Sequence, residues 1–178
     1  MLMKKSKKIQ YQLSTPTKWY KKLHEQLPSR LDENQFILSR EFGLGGLKHF
    51  NIQEGLWIYQ MDFLLHEDLN LHQIPKNDND CFLLNFYLSN AKIQTRTANK
   101  SYELGLENIS VILTSAMTDV HTFIPANKKF HLINIGFSKK WLETNVLTDG
   151  YPSLKPLFEH SKPIYIAENL DFKLKNTK

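Results

Sequence analysis

The chain has 178 residues, 41% of them hydrophobic, and a formal net charge of +5. This length suits one domain, and the near-average composition argues against a disordered chain, while the lack of an apolar run of about 18 residues argues against a membrane-spanning helix. Residues 1–30, 31–127 and 128–178 carry net charges of +7, −6 and +4. Because the basic surplus lies at the ends, the body lacks the basic face of a DNA-tracking protein. We therefore expect this chain alone to bind DNA only weakly and without sequence preference.

One cysteine and a polar N-terminal segment indicate the compartment. Cys81 is the single cysteine of the sequence and lies in an apolar run, which excludes an intramolecular disulfide and favours a buried small side chain. The lysine-rich start is followed by polar Gln10 and Gln12, where a signal peptide has its apolar region. Both features predict a cytoplasmic protein.

Residues 1–34 are predicted to form a helical preface to the main body. Ser14 and Thr15 place hydroxyl groups just before Pro16, which is a typical helix start. Apolar residues then recur at three- and four-residue spacing until Pro28: Trp19, Tyr20, Leu23 and Leu27. This pattern predicts one short amphipathic helix.

Residues 35–137 have the alternation of β-strands. Eight apolar runs stand between turn signals such as Gly43–Gly46 and Pro125–Lys129. The predicted strands are Phe36–Phe42, Leu47–Ile52, Leu56–Leu65, Phe82–Leu88, Ile93–Thr97, Ile109–Leu113, Val120–Ile124 and Phe130–Phe137. Since no helices intervene, this segment is predicted to be an antiparallel β-sandwich or small barrel.

Residues 138–178 are predicted to be a helical dimerisation segment and the start of a linker. Ser138 is expected to cap a helix that runs through Val146, a second helical turn covers residues 152–158, and a short strand covers residues 163–166. Trp141 and Leu142 form an apolar patch on the first helix, which makes them candidates for a homodimer interface. The alternative is that Trp141 packs back onto the barrel.

Two pairs among the seven histidines are candidates for sharing a metal ion. On one continuous strand, His66 and His72 are about 20 Å apart, too far to share a metal. If Val120–Ile124 and Phe130–Phe137 form a hairpin, His121 lies opposite His131 with Cβ atoms about 5 Å apart. A shift of one residue removes this arrangement. We therefore favour two hydrogen-bonding imidazoles beside a pocket over a metal site at His121 and His131, and we expect no cofactor.

Aromatic and polar residues on the predicted strands favour a pocket for a small molecule. Along Phe82–Leu88 one face is apolar, while the other face carries the polar tips of Asn85 and Tyr87. The candidate ligand-binding residues are Trp57, Tyr59, Asn85, Tyr87, His121 and His131. No phosphate-binding loop, dinucleotide fingerprint, nucleophile elbow or cysteine-based zinc pattern is present in the sequence. We therefore expect no catalytic residues.

The order of these elements resembles the N-terminal sensor region of AraC-family transcriptional regulators, in particular the pyochelin-regulator-like branch. The resemblance covers about residues 16–168 and rests on these segments: Lys18-Trp19-Tyr20, Gly46–Ile52, Glu54-Gly55-Leu56-Trp57, Asp62-Phe63, Phe82–Phe86, Phe123–Asn127, His131–Ile135 and Trp141-Leu142. It implies a cupin-like β-barrel that binds a small-molecule effector, followed by dimerising helices and then a helix-turn-helix module that reads DNA. That module is not in this chain, which we therefore expect to be a fragment of a longer regulator.

Two other functions remain open at this stage. Metal-dependent cupin enzymes, such as isomerases or dioxygenases, share the barrel. Pro125, His131 and Asn134 resemble their second conserved segment, but the paired His-x-His of the first is absent. A stand-alone small-molecule-binding module is the other alternative. The sequence favours a non-enzymatic sensor domain that forms a homodimer, binds a small effector and reaches DNA only through a missing domain.

Overall fold

Two β-sheets packed face to face make up most of the chain. The computed structural model describes residues 6–97, 100–147, 151, 154–159 and 162–169. The elements in these ranges are β1 (Ser6–Tyr11), α1 (Pro16–Gln26), β2 (Ser29–Asp32), β3 (Gln35–Leu38), β4 (Gly43–Gln53), β5 (Leu56–Leu65), β6 (Asp68–Gln73), β7 (Cys81–Tyr87), β8 (Ile93–Arg96), β9 (Ser101–Leu104), β10 (Val111–Ser115), β11 (Val120–Ile124), β12 (Lys129–Ser138), α2 (Lys139–Asn145), α3 (Lys155–Glu159) and β13 (Tyr165–Glu168).

The larger sheet has the strand order β13-β10-β7-β12-β5-β4-β3-β2, and the smaller sheet has the order β1-β6-β11-β8-β9. Neighbouring strands pair antiparallel except β1 and β6, which are parallel. The mostly β architecture with a short N-terminal helix and C-terminal helices confirms the predicted fold class.

The main core lies between the two sheets and is closed on one side by α1. Pro16 starts this helix, since its fixed φ suits the first turn and its missing N–H costs nothing there. The predicted apolar positions face inward, with Tyr20, Leu23 and Leu27 all less than 8% exposed. The helix is confirmed, although the side chain of Thr15 makes no capping hydrogen bond.

Four strands were not predicted: β1, β2, β6 and β9. In addition, Gly43–Gly46 was predicted to be a break between strands, but it forms the start of β4. The glycines allow close approach of neighbouring backbones. Gly45 has a φ of +83°, and a Cβ at Gly46 would overlap the carbonyl oxygen of Phe36 in β3.

A second core covers the outer face of the larger sheet beneath α2 and α3. The hydroxyl of Ser138 accepts a hydrogen bond from the backbone N–H of Trp141 at 3.1 Å, which confirms the predicted cap. Leu142 is 4% exposed, and the rings of Phe82 and Phe158 meet edge to face with centroids 5.1 Å apart. Leu142 thus packs on its own chain, and the dimer interface through Trp141 and Leu142 stays a prediction.

The helices of the described part contain 11, 7 and 5 residues. None of them is long and apolar enough to cross a membrane.

Candidate functional site: a cavity between the sheets

A cavity of about 140 Å³ lies between the two sheets. Most of its wall is apolar, with leucine, isoleucine, phenylalanine and methionine side chains from the strands and Trp19 and Leu23 from α1. Inward-facing positions of β5, β7 and β12 add polar groups, because alternate side chains of a strand point to the same face. Among the described lining residues, none has a carboxylate, ammonium, guanidinium or imidazole side chain. The cavity therefore suits an uncharged ligand.

Two buried asparagines form the polar centre of this cavity. Asn85 and Asn134 stand directly opposite each other in the β7–β12 register. The Nδ2 of Asn85 donates to the carbonyl oxygens of Leu83 and Ile112, at 3.2 Å each. These two bonds fix the orientation of the Asn85 amide, so its Oδ1 accepts from the Nδ2 of Asn134. The Oδ1 of Asn134 is buried and has no hydrogen-bond partner among the described residues.

Tyrosine hydroxyls supply further polar groups of the wall. Burial raises the pKa of Tyr11 to about 12 and raises the pKa values of Tyr59 and Tyr87 further. The nearby indole N–H of Trp57 lowers the pKa of Tyr59 somewhat, but its contact with the Tyr59 hydroxyl does not have the geometry of a hydrogen bond. All three phenols are consequently neutral at physiological pH and act as hydrogen-bonding groups rather than as bases.

Three of the predicted ligand-binding residues, Tyr59, Asn85 and Tyr87, meet at this cavity. Trp57 is 3% exposed but does not line it. Its indole lies over Gly136, the residue opposite it in β12, where a Cβ would overlap the ring. Trp57 therefore lies on the inward face of β5, as Tyr59 does, but outside the lining of the cavity.

The predicted hairpin that placed His121 opposite His131 is wrong. β11 pairs with β6 and β8, whereas β12 pairs with β5 and β7, so the two histidines lie in different sheets. His131 stands opposite Asp62, and its Nδ1 is 3.8 Å from a carboxylate oxygen of that residue. His121 stands opposite His72 of β6 instead. The segment Pro125–Lys129 carries the chain from one sheet to the other.

Asn134 was missed as a pocket residue by the sequence prediction. The signal was an amide inside the apolar run of β12, at the same parity as Leu132. An amide at an inward position of a buried strand requires a polar partner. Only the β7–β12 pairing shows that this partner is Asn85.

No protein-family model matches the sequence, and no curated protein matches it. Among solved structures the chain is similar to the cupin domain of Cnp3 from Schizosaccharomyces pombe, with 9% identity, a TM-score of 0.41, and coverage of 60% of this chain and 74% of that one. It is also similar to the protein plu4264 from Photorhabdus luminescens, with 8% identity, a TM-score of 0.41, and coverage of 65% and 85%. A third similar structure is Ylba from E. coli, with 9% identity, a TM-score of 0.45, and coverage of 82% and 49%.

Proposed function

We propose that the chain is a small-molecule-binding domain whose ligand occupies the cavity between the two sheets. The observation that carries this proposal is the Oδ1 of Asn134, a buried acceptor without a partner among the described residues, on a side chain that lines an apolar cavity. An unpaired buried polar group costs about 1–3 kcal/mol. A ligand that donates a hydrogen bond to this oxygen offsets that cost, so binding is coupled to completion of the polar network.

The size and charge of the cavity define the class of ligand. A cavity of about 140 Å³ is close in volume to engineered protein cavities of about 150 Å³ that bind benzene. It is smaller than the roughly 300–1,000 Å³ of sites for drug-sized molecules. Since its described wall holds no ionised group, a charged ligand loses its hydration there without compensation. The ligand class we propose is therefore a neutral, single-ring or short-chain molecule with one hydrogen-bond donor.

We also propose that the domain binds without catalysis and serves as the effector-sensing part of an AraC-type transcriptional regulator. The neutral tyrosines and the lack of other titratable side chains in the described wall support binding rather than proton transfer. The regulator role is supported by the order of elements that resembles AraC sensor regions. The effector would favour one arrangement of barrel and helices over another, and a DNA-reading module would respond to the difference.

The genetic part of this proposal has a direct test. We expect the open reading frame of the parent gene to continue past Lys178 into a segment with two helix-turn-helix units. A reading frame without such a segment contradicts the regulator role and leaves a stand-alone binding module.

The binding part is tested with phenol, toluene and benzoate as probes, using isothermal titration calorimetry. Phenol and toluene have rings of nearly equal size, but only phenol donates a hydrogen bond, while benzoate adds a charge. We expect phenol to bind more tightly than toluene, and benzoate to bind much more weakly than both. Equal affinity for all three, or no binding of any, contradicts the proposal.

Variants locate the binding. In Asn134→Leu the acceptor is lost, so phenol should lose about 10-fold in affinity, equivalent to one hydrogen bond of about 1.4 kcal/mol, while toluene keeps its affinity. His131→Gln, on the outer face of the same strand, is the matched control and should change neither affinity. If Asn134→Leu leaves the ratio of the phenol affinity to the toluene affinity unchanged, Asn134 is not the acceptor of the ligand's hydrogen bond.

A further inference from the structure

A cluster of two imidazoles and one carboxylate lies on the outer face of the smaller sheet, away from the internal cavity. His72 in β6 and His121 in β11 are directly opposite each other in the antiparallel register. Their rings stack with centroids 3.9 Å apart and an angle of 15° between the planes. Asp119 precedes β11 by one residue, and its side chain reaches both rings.

The donor atoms of this cluster are spaced like the ligands of one metal ion. One carboxylate oxygen of Asp119 lies 2.9 Å from the Nε2 of His72 and 3.4 Å from the Nε2 of His121. Ligand atoms of the three residues all lie within 4.8 Å of one another. In a tetrahedral zinc site with bonds of about 2.0–2.1 Å, neighbouring ligand atoms are about 3.3–3.4 Å apart. The two distances from Asp119 are therefore close to that spacing and need only a small adjustment.

The side chains are also free to make that adjustment. The stacked rings must tilt so that both Nε2 atoms point at one ion, and the side chains of His72 and His121 are 26% and 45% exposed. Both rings therefore have room to turn, although the turn gives up their stacking contact. Both histidines line an open depression of about 840 Å³ above the sheet, which leaves room for a fourth ligand from solution.

The surroundings of His121 act against both a protonated imidazole and a bound cation. Partial burial, followed by the nearby His72 and Arg96, lowers the pKa of His121, while Asp119 raises it. A neutral imidazole presents the lone pair that a metal requires. Arg96, which is opposite His121 on the other neighbouring strand, also repels a cation, so its charge weakens metal affinity.

We propose that His72, Asp119 and His121 form a surface site for a divalent transition-metal ion, with Zn²⁺ as the representative case. Two imidazoles and one carboxylate are ligands that zinc, nickel and copper accept, whereas magnesium and calcium prefer oxygen ligands alone. The site lies on the opposite side of the smaller sheet from the cavity, so it does not depend on the ligand-binding function proposed above.

The test is a calorimetric titration of the untagged chain with ZnCl₂ in a non-chelating buffer at pH 7.5. We expect one ion per chain with a Kd below about 100 µM. His121→Gln and Asp119→Asn should each weaken binding at least about 10-fold, since even an outer-shell partner of a metal ligand is typically worth about 10- to 100-fold in affinity. All three ligands are at least partly exposed, and circular dichroism should show that the variants stay folded.

His66→Gln and His24→Gln are matched controls, because both remove an exposed histidine elsewhere on the chain. They should leave the zinc affinity within about twofold of that of the wild type. The proposed site is overturned if His121→Gln leaves the zinc affinity unchanged or if the controls lose as much affinity. It is also overturned if the wild type does not bind zinc with a Kd below about 100 µM.

Discussion

Leucine substitutions at the two cavity asparagines, made one at a time, test which of the two side-chain amides contains the unpaired oxygen. Leucine has the same number of side-chain heavy atoms as asparagine, so both variants change shape and strand propensity similarly. In Asn85→Leu, the hydrogen bonds to the carbonyls of Leu83 and Ile112 and the bond from Asn134 are all lost. At about 1 kcal/mol for each bond, the expected loss of unfolding free energy is about 3 kcal/mol.

Asn134→Leu should change the free energy of unfolding less than Asn85→Leu does. It removes the same inter-amide bond and leaves the Oδ1 of Asn85 without a donor, but it also removes the Oδ1 that already lacks a partner in the wild type. Because one unpaired buried oxygen replaces another, the free energy of unfolding should stay within about 1 kcal/mol of the wild-type value.

Urea denaturation followed by circular dichroism measures this difference. With a slope m of about 2 kcal/mol/M, Asn85→Leu should unfold at about 1–1.5 M less urea than the wild type, and Asn134→Leu within about 0.5 M of it. The slopes should be equal, since the surface exposed on unfolding does not change. Equal midpoints for the two variants, or a lower midpoint for Asn134→Leu, would refute the assignment of the unpaired oxygen to Asn134.

Three further predictions follow from other parts of the molecule. Gly136→Ala places a Cβ in the indole of Trp57, so it should destabilise the chain by about 1–3 kcal/mol and shift the tryptophan emission. Gly105→Ala is the control, because a Cβ has room there, and it should cause neither change. Equal effects of the two substitutions would contradict this packing. Burial raises the pKa of the Cys81 thiol to about 12, so little of it is thiolate at pH 8. A disulfide reagent at this pH should therefore label the folded chain about 1,000-fold more slowly than the urea-unfolded chain. Similar labelling rates would contradict this burial. Sedimentation of the wild type and of Trp141→Gln tests the predicted dimer surface on α2. The wild type should sediment as a dimer and the variant with a lower mass, and an unchanged mass would contradict this surface.

Hydrophobic alternation located the strands that have clear apolar runs. β5 and β11 have the predicted bounds, because each is an apolar run with clear turn residues at its ends. β6 was missed because Asp68 and Asn70 have low strand propensity. Its alternating leucines were the available signal. Pairing with β1 and β11 on both sides stabilises this strand in spite of its composition.

Strand pairing was the part of the site that local sequence did not determine. The segment between β11 and β12 has the proline, asparagine and lysine of a hairpin turn, but turn chemistry does not show whether the next strand pairs with the previous one or crosses to the other sheet. Here it crosses, so His121 meets His72 rather than His131. Tyr59, Asn85 and Tyr87 line the cavity as a group because their inward direction follows from alternation alone.

A crystal structure of the chain soaked with phenol tests the central claim most directly. The account predicts the ring in the cavity between the two sheets, with its hydroxyl oxygen about 2.7–2.8 Å from the Oδ1 of Asn134. Phenol bound only on the outer surface, or an ordered water bonded to that oxygen while the cavity excludes the ring, would contradict it.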